Sequence, residues 1–246
     1  MSITLTIARA AIRSPAFTLA CGLLFTSLAA ASDIQVSPTR IHLDADHRVQ
    51  ALTLRNTSSR DISFQIELAD WLQIDGEDHY ETTGDLLATP PIFTVAAGQQ
   101  QIVRVGLRRP PDRAEELAYR LFIQELPEPL ADDFTGLRMV LRMGLPVFVA
   151  PATGQTAHQL SWHAEINDSG QLQLRLNNAG TGHAQVTELA LRHGGQSFQP
   201  GGMFYVLPLS TRIRLLPVDA ALPRGSDIEL TARVNREIVS FHLRVE

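Results

Sequence analysis

Lysine is absent from this chain, cysteine occurs once, and aromatic residues make up only 6% of it. All 21 basic residues are therefore arginines, and 26 acidic residues outnumber them to give a net charge of −5. Such mild acidity gives no reason to expect binding to nucleic acid. The single cysteine, Cys21, excludes an intramolecular disulfide and any zinc site built from several cysteines.

The motifs of common enzymes are also missing. The sequence contains no Gly-x-Ser-x-Gly elbow, no His-Glu-x-x-His motif, no phosphate-binding loop and no dinucleotide fingerprint. The histidines are scattered, and pairs such as His42 with His47 or His158 with His163 would hold a metal only if the fold added another ligand. We therefore expect no enzymatic activity, no metal and no cofactor.

Residues 1–32 predict a secretory signal peptide that is removed from the mature protein. Two arginines precede an apolar run over residues 16–31, which ends in small residues before a polar start. Because the run is shorter than the roughly 20 residues that span a bilayer, a membrane anchor is the weaker interpretation, and no membrane span is expected in the mature protein. Acylation at Cys21 is a further alternative. Removal takes away two arginines and lowers the net charge from −5 to −7.

The rest of the chain alternates between apolar and polar residues along many short segments, most clearly at 62–68 (ISFQIEL) and 171–177 (QLQLRLN). A period of two indicates strands with one buried and one wet face, as in antiparallel sheets. Turn-forming residues separate these segments, which predicts an all-β fold of two immunoglobulin-like β-sandwiches. A small turn-rich patch at 150–155 places the expected domains at 33–151 and 152–246.

Two local features interrupt the strand pattern. An acidic stretch surrounds Gly76, but its spacing does not fit a calcium-binding loop, so we expect a solvated hairpin tip. The best helical candidate is a short stretch at 112–117.

One segment departs from the usual surface pattern. Residues 137–149 (LRMVLRMGLPVFV) form a long apolar run that Pro146 interrupts. Because proline cannot donate to a hydrogen-bond ladder, the run fits an edge strand that pairs with another chain. Methionine-rich apolar stripes suit several partners. The alternative from the pattern alone is an ordinary core strand with Arg138 and Arg142 on its wet face.

Several motifs in a fixed order carry a family resemblance. They are 36–40 (VSPTR), 88–91 (ATPP), 102–105 (IVRV), 119–127 (YRLFIQELP) and 145–151 (LPVFVAP). With them the chain resembles the PapD-like periplasmic pilus-assembly chaperones of the chaperone–usher type. The resemblance covers essentially the whole mature chain, although the second domain matches mainly in its strand pattern.

The resemblance implies a boomerang of two domains that acts in the periplasm on pilus subunits and delivers them to an outer-membrane usher. In this family an edge strand of the chaperone completes the unfinished sandwich of a subunit. By position, Leu137, Met139 and Leu141 match the inserted residues, and Met143 extends the stripe. An exposed apolar edge is also compatible with a self-capping homodimer of the free chaperone.

The family also anchors the subunit's C-terminal carboxylate, and Arg40 falls at the position of the arginine that does so. The guanidinium fork suits a carboxylate. The usual second anchor, a lysine on the edge strand, is replaced here by Pro146, a departure that resembles the archaic branch of the family. Arg120 is our candidate substitute and Arg142 the lesser one.

A further family feature is a network of ion pairs at the interface of the two domains. By position, Arg104 and Glu125 match two residues of this network. A third member is not clearly matched, and Asn235 or Glu237 lies nearest.

Two other functions remain open from the residues alone. One is an extracytoplasmic adhesin or carbohydrate-binding module, which would need an aromatic platform. The other is a hydrolase built on a sandwich.

Overall fold

The computed structural model describes residues 34–112, 114–127, 135–137, 139–216 and 222–246. Within these ranges the chain folds into strands and turns without a helix, and nothing in them could cross a bilayer as a helical span. The predicted all-β class is confirmed. The predicted signal peptide and Arg138 lie outside the described residues.

Ten strands form the N-terminal sandwich. One of its sheets has the order β1-β3-β8-β6, and the other has the order β2-β10-β9-β4-β5, with β7 also paired to β4. Only the pairing of β2 with β10 is parallel among these strands. The strands are β1 (Ile34–Ser37), β2 (Ile41–Leu43), β3 (Val49–Asn56), β4 (Ile62–Ile74), β5 (Glu77–Thr82), β6 (Leu86–Thr89), β7 (Ile92–Val95), β8 (Gln100–Leu107), β9 (Leu117–Leu126) and β10 (Arg142–Val149).

Eight further strands form the C-terminal sandwich. One sheet has the order β11-β12-β16, and the other has the order β14-β13-β17-β18, with β15 paired to β13. The strands are β11 (Leu160–Ile166), β12 (Leu172–Asn178), β13 (Ala184–His193), β14 (Gln196–Phe198), β15 (Phe204–Val206), β16 (Ser210–Leu216), β17 (Asp227–Val234) and β18 (Glu237–Arg244). The predicted boundary between residues 151 and 152 falls in the irregular segment between β10 and β11, and it stays a prediction.

Alternating side chains build the two cores. In β4, Ile62, Phe64 and Ile66 are buried while the residues between them are partly exposed, as the sequence predicts. In β12 the same alternation buries leucines 172, 174 and 176. Each sandwich therefore has its own apolar core, and the expectation of two immunoglobulin-like sandwiches is confirmed.

The two sandwiches meet at four buried residues, Trp71, Phe148, Tyr205 and Leu207, which we call the junction cluster. The Trp71 ring lies edge-on to Tyr205 with centroids 5.4 Å apart, and Phe148 lies 5.6 Å from Tyr205. Such edge-on and tilted geometries are those that aromatic pairs favour. This contact fixes the C-terminal sandwich against β4 and β10 of the N-terminal one.

The hairpin between β4 and β5 makes a second contact between the sandwiches. Its turn residues, Asp75 and Gly76, both have positive φ, and the backbone N–H of Ile213 on β16 donates a 3.0 Å hydrogen bond to the carbonyl of Gly76. The expectation of a solvated tip is confirmed for the side chains of Asp75 and Glu77, which are exposed, but not for Gly76, which is buried against the neighbouring sandwich. The helix expected at 112–117 is also not formed. Residues 112 and 114–116 are irregular, and β9 begins at Leu117.

Candidate functional site

The N-terminal part of β10 forms an open sheet edge. Strand β9 pairs with all of β10, from Arg142 to Val149, whereas β2 pairs with it only from Val147 to Val149. Over residues 142–146, therefore, one side of β10 carries no neighbouring strand among the described residues. The proline at position 146 lies at this open part, as expected for a residue that would interrupt a central ladder.

Exposure rises steadily along the apolar stripe towards its N-terminal end. Leu145 is only 8% exposed, while Leu141 and Met143 are partly buried against the N-terminal core. Met139 is 85% exposed and Leu137 is 89% exposed. We call residues 137–145 the edge segment. The interpretation as an ordinary core strand does not fit its first part, because two large apolar side chains stand in solvent.

The edge segment makes its first backbone hydrogen bond to the sheet at Leu141. The backbone N–H of Glu125 on β9 donates a 2.9 Å hydrogen bond to the carbonyl of Leu141. The N–H of Leu141 in turn points to a carboxylate oxygen of Glu125 at 3.4 Å. Residues 139 and 140, just before this point, belong to no strand.

Arg40 follows β1 and reaches across the junction to the C-terminal sandwich. Its Nη2 atom donates to Oε1 of Gln185 at 2.8 Å and to the hydroxyl of Tyr205 at 2.9 Å. Its guanidinium carbon lies 5.6 Å from the centroid of the Tyr205 ring. No carboxylate among the described residues forms an ion pair with Arg40, so its charge is held in place by neutral groups.

Arg120 lies on β9 directly opposite Pro146, where the family resemblance implies a lysine. Its guanidinium carbon is 4.2 Å from the centroid of the Trp71 ring and 5.9 Å from that of Tyr80. Within the described part of the chain, Arg120 also forms no ion pair with a carboxylate. Through Trp71 and Tyr205, the rings of the junction cluster connect Arg120 with Arg40.

Arg142, the lesser candidate, already has a carboxylate partner. Its Nη2 atom is 3.1 Å from Oε2 of Glu67, and its guanidinium stacks 4.2 Å from the centroid of the Phe122 ring. Both side chains of the ion pair are about half exposed, at 52% and 44%. The structure therefore connects Arg40 and Arg120 to the junction cluster and gives Arg142 a different set of partners.

The ion pair predicted between Arg104 and Glu125 is not formed. Glu125 is bonded instead to Arg60, whose Nη2 atom is 3.0 Å from Oε1. The reason is strand parity: Arg104 alternates with the buried valines 103 and 105 on β8, so its side chain is exposed on the outer face of the other sheet. Glu125 follows Leu121 and Ile123 in the inward-facing set of β9.

The polar contacts that do join the sandwiches were missed from the sequence. The Nδ1 atom of His183 lies 2.6 Å from Oε1 of Glu116, and the ring of His183 stacks on Phe148 with centroids 3.6 Å apart. Elsewhere the Nη1 atom of Arg212 lies 3.1 Å from Oδ1 of Asp78 and forms an ion pair with it. A signal for the junction was present in the unbroken apolar runs at 145–149 and 204–207, since such runs indicate burial on both faces of a strand.

His42 lies beside this junction on β2. Burial lowers the pKa of His42 below its ordinary value, and the nearby charges of Arg40 and His183 lower it further. Its ring is 6.0 Å from that of Phe148. The neutral form of His42 is therefore favoured next to the Arg40 guanidinium.

A cavity of about 440 Å³ opens on the other side of the junction. Its lining includes Asp70, Asp85 and Tyr119, and the Tyr119 hydroxyl donates to Asp85 at 3.0 Å. Burial raises the pKa of Asp70.

No group of three or more potential ligands that could hold a metal is found among the described side chains.

Comparison with known proteins finds one matching protein family. The family model for pili and flagellar-assembly chaperones, PapD N-terminal domain, matches residues 33–155. Curated proteins give no significant match.

Solved structures match over most of the chain. A chain of the CsuC–CsuE chaperone–tip adhesion subunit pre-assembly complex from archaic Csu pili of Acinetobacter baumannii has a TM-score of 0.64 at 21% identity, covering 87% of this chain and 100% of that one. The Salmonella enterica SafA pilin–SafB chaperone complex gives 0.58 at 19% identity, with 87% and 97% covered. The CupB2 chaperone of Pseudomonas aeruginosa gives 0.56 at 19% identity, with 85% and 98% covered. At these identities the likeness concerns the fold.

Proposed function

Because the chain belongs to the family of pili and flagellar-assembly chaperones, we propose that it holds pilus subunits in the periplasm by lending them its edge segment, and then delivers them to an outer-membrane usher. Family membership already makes it an assembly chaperone and not an enzyme. Two of the structural relatives are described in complex with a tip adhesion subunit or a pilin, which supports a pilus subunit as the partner.

The observation that carries this proposal is the exposure of Leu137 and Met139 next to an unpaired strand edge. Both side chains are more than four-fifths exposed, at 89% and 85%. An incoming strand would find free backbone groups along residues 142–146 and apolar side chains at alternate positions before them. Backbone pairing would supply affinity, and the stripe would fill the groove of an unfinished sandwich.

The exposed part of the stripe contributes most of the gain from burial. Transferring Leu137 and Met139 from water into a groove is worth roughly 3–6 kcal/mol in gross terms. Leu141 and Met143 add less, because they are already partly buried in the free chaperone. Association costs offset much of this gain, so the net affinity is smaller than the gross value. The edge segment bound to the subunit could therefore still be replaced by another strand. Such exchange would let the usher take over the subunit without a nucleotide.

Arg40 and Arg120 would receive the subunit's C-terminal carboxylate. Arg40 is oriented by Gln185 and Tyr205, and Arg120 by the face of Trp71, so both cations are positioned by neutral groups. A carboxylate that reaches them replaces water and forms charge-assisted hydrogen bonds in a partly buried place. In the free chaperone, the same exposed edge could pair with a second copy, giving a self-capped homodimer.

A carbohydrate-binding role is less well supported. Such a module needs exposed aromatic rings, whereas Trp71, Trp162 and Tyr205 are all at most 5% exposed. Among the described phenylalanine, tyrosine and tryptophan side chains, Tyr80 is the one that is exposed, at 41%, and a single ring does not form a platform.

The test is retention of a co-expressed pilus subunit by the variant Leu137→Asp with Met139→Asp. Because both side chains are exposed, circular dichroism should report an intact fold, while the subunit should no longer co-purify from the periplasm. The matched control is Val49→Asp with Ile238→Asp, which changes apolar residues that are 60% and 65% exposed elsewhere. A folded edge variant that retains the subunit as well as this control would refute the proposal.

A further inference from the structure

The sulfur atoms of the mature chain are concentrated on the edge segment. Beyond Met1 the sequence contains three methionines, Met139, Met143 and Met203, and the only cysteine is Cys21, inside the predicted signal peptide. Two of these three methionines belong to the apolar stripe. The remaining members of the stripe are leucines, which peroxides do not oxidise.

The geometry exposes these sulfurs to different degrees. Met139 is 85% exposed, whereas Met143 is partly buried against the N-terminal core. Met203 is 55% exposed and lies beside β15, where the side-chain amide of Gln185 donates to its sulfur. The rate of methionine oxidation increases with the exposure of the sulfur atom. Met139 should therefore be oxidised faster than Met143.

We propose that Met139, followed by Met143, is a site of reversible oxidation by hydroperoxides, and that the sulfoxide switches off subunit binding. The sulfur lone pair attacks one peroxide oxygen, an S–O bond forms, and the O–O bond breaks. Sulfur is oxidised by two electrons, the peroxide is reduced, and water or an alcohol leaves. Oxidation at Met139 leaves the chaperone folded, because this side chain is 85% exposed, whereas Met143 packs against the N-terminal core.

The loss of binding follows from the polarity of the product, and this part of the inference rests on the proposed function. A sulfoxide is a strong hydrogen-bond acceptor, and an apolar groove offers it no donor. A buried polar group without a partner weakens binding by roughly five- to 150-fold. Sulfoxide formation would therefore act on the same positions as the aspartate substitutions, but a methionine sulfoxide reductase could reverse it.

The first experiment compares methionine oxidation in the free chaperone and in its complex with a subunit. The purified full chain is treated with hydrogen peroxide, and sulfoxide at each methionine is followed by mass spectrometry. We expect Met139 to be oxidised several-fold faster than Met143, with circular dichroism unchanged. When the chaperone is purified with its subunit, oxidation of both should slow at least severalfold. Equal rates at Met139 in the free and the bound chaperone would overturn the proposal.

The second experiment measures subunit retention after peroxide treatment. The wild type should lose binding and regain it after incubation with methionine sulfoxide reductase. Met139→Leu with Met143→Leu should bind before and after treatment, whereas Met203→Leu should stay sensitive. If Met203→Leu alone removes the sensitivity, the contact with Gln185 is responsible and the proposal is wrong. If the aspartate variant binds subunit normally, the proposed function itself fails, and the two failures are thereby distinguished.

Discussion

The guanidinium of Arg40 donates a 2.9 Å hydrogen bond to the hydroxyl of Tyr205, although 165 positions separate the two residues in the sequence. Arg40 belongs to the N-terminal sandwich and Tyr205 to the C-terminal one. The direction of this cation is therefore set by the junction of the two sandwiches. A candidate anchor that depends on both sandwiches would lose its geometry if either moved.

The first prediction concerns the charge that Arg40 supplies. In Arg40→Ala, binding of a peptide with the subunit's C-terminal sequence and a free carboxylate should weaken roughly ten- to hundredfold, because hydrogen bonds to charged groups are lost. Calorimetry or fluorescence anisotropy would measure it. Arg142→Ala is the matched control, since its arginine is paired with Glu67, and binding should change little.

An amidated form of the same peptide separates a carboxylate anchor from a general effect. The wild type should bind the amide weakly, and the preference for the acid should be smaller in Arg40→Ala, because only Arg120 then remains to receive the carboxylate. An equal preference for the acid in both proteins would show that Arg40 is not the anchor.

The sequence allowed the strands and the edge segment to be predicted but not the contacts between sandwiches. Alternation in β4 and β12 directly reports which face is buried, and the proline at position 146 reports an open edge. The partner of Glu125 could not be found in this way, because Arg60 lies in a turn whose side-chain direction follows no period. The bond between Glu116 and His183 depends on how two separately patterned sandwiches dock.

A double-mutant cycle tests the corrected ion pair. Arg60 is half exposed, at 50%, so its interaction with Glu125 should contribute only about 0.2–1 kcal/mol to the free energy of unfolding. The coupling energy from Arg60→Ala and Glu125→Gln should lie in that range. The cycle of Arg104→Ala with Glu125→Gln should give a coupling near zero. A larger coupling to Arg104 than to Arg60 would restore the pairing that the family resemblance implied.

The third prediction concerns acid sensitivity. The pKa of His42 is lowered from 6.5, first by burial and then by Arg40, so the folded state favours the neutral imidazole. The corresponding stability is present above pH 6.5 and is lost as the pH falls through the lowered value, because the unfolded chain binds the proton more readily. His42→Gln should therefore make the unfolding midpoint less dependent on pH between neutral and acid conditions.

Urea denaturation at a series of pH values would measure this effect. The groups that face His42 are Arg40, His183 and Glu116, and all three are retained in the variant. His79→Gln is the control, since His79 is exposed on β5. Equal pH slopes in the wild type and in His42→Gln would contradict the prediction.

The last prediction isolates the contact of the β4–β5 hairpin with β16. Gly76 has φ of +82°, and a Cβ atom there would lie 2.4–2.7 Å from side-chain carbons of Ile213. Gly98 has a similar φ of +70° but open space around it. Both alanine variants carry the backbone cost of a left-handed conformation, about 1 kcal/mol. Only Gly76→Ala must also displace the Ile213 side chain or the hairpin itself, which should add about 1–3 kcal/mol, the usual cost of overpacking.

The difference between the two unfolding free energies therefore measures how firmly the hairpin is held against the C-terminal sandwich. If the contact fixes the junction, Gly76→Ala should also weaken carboxylate-dependent peptide binding, because the direction of Arg40 is set by Gln185 and Tyr205 on that sandwich. Gly98→Ala should leave peptide binding unchanged. Equal destabilisation by the two substitutions would mean that the hairpin yields to the added methyl group, and that the other contacts between the sandwiches hold them together.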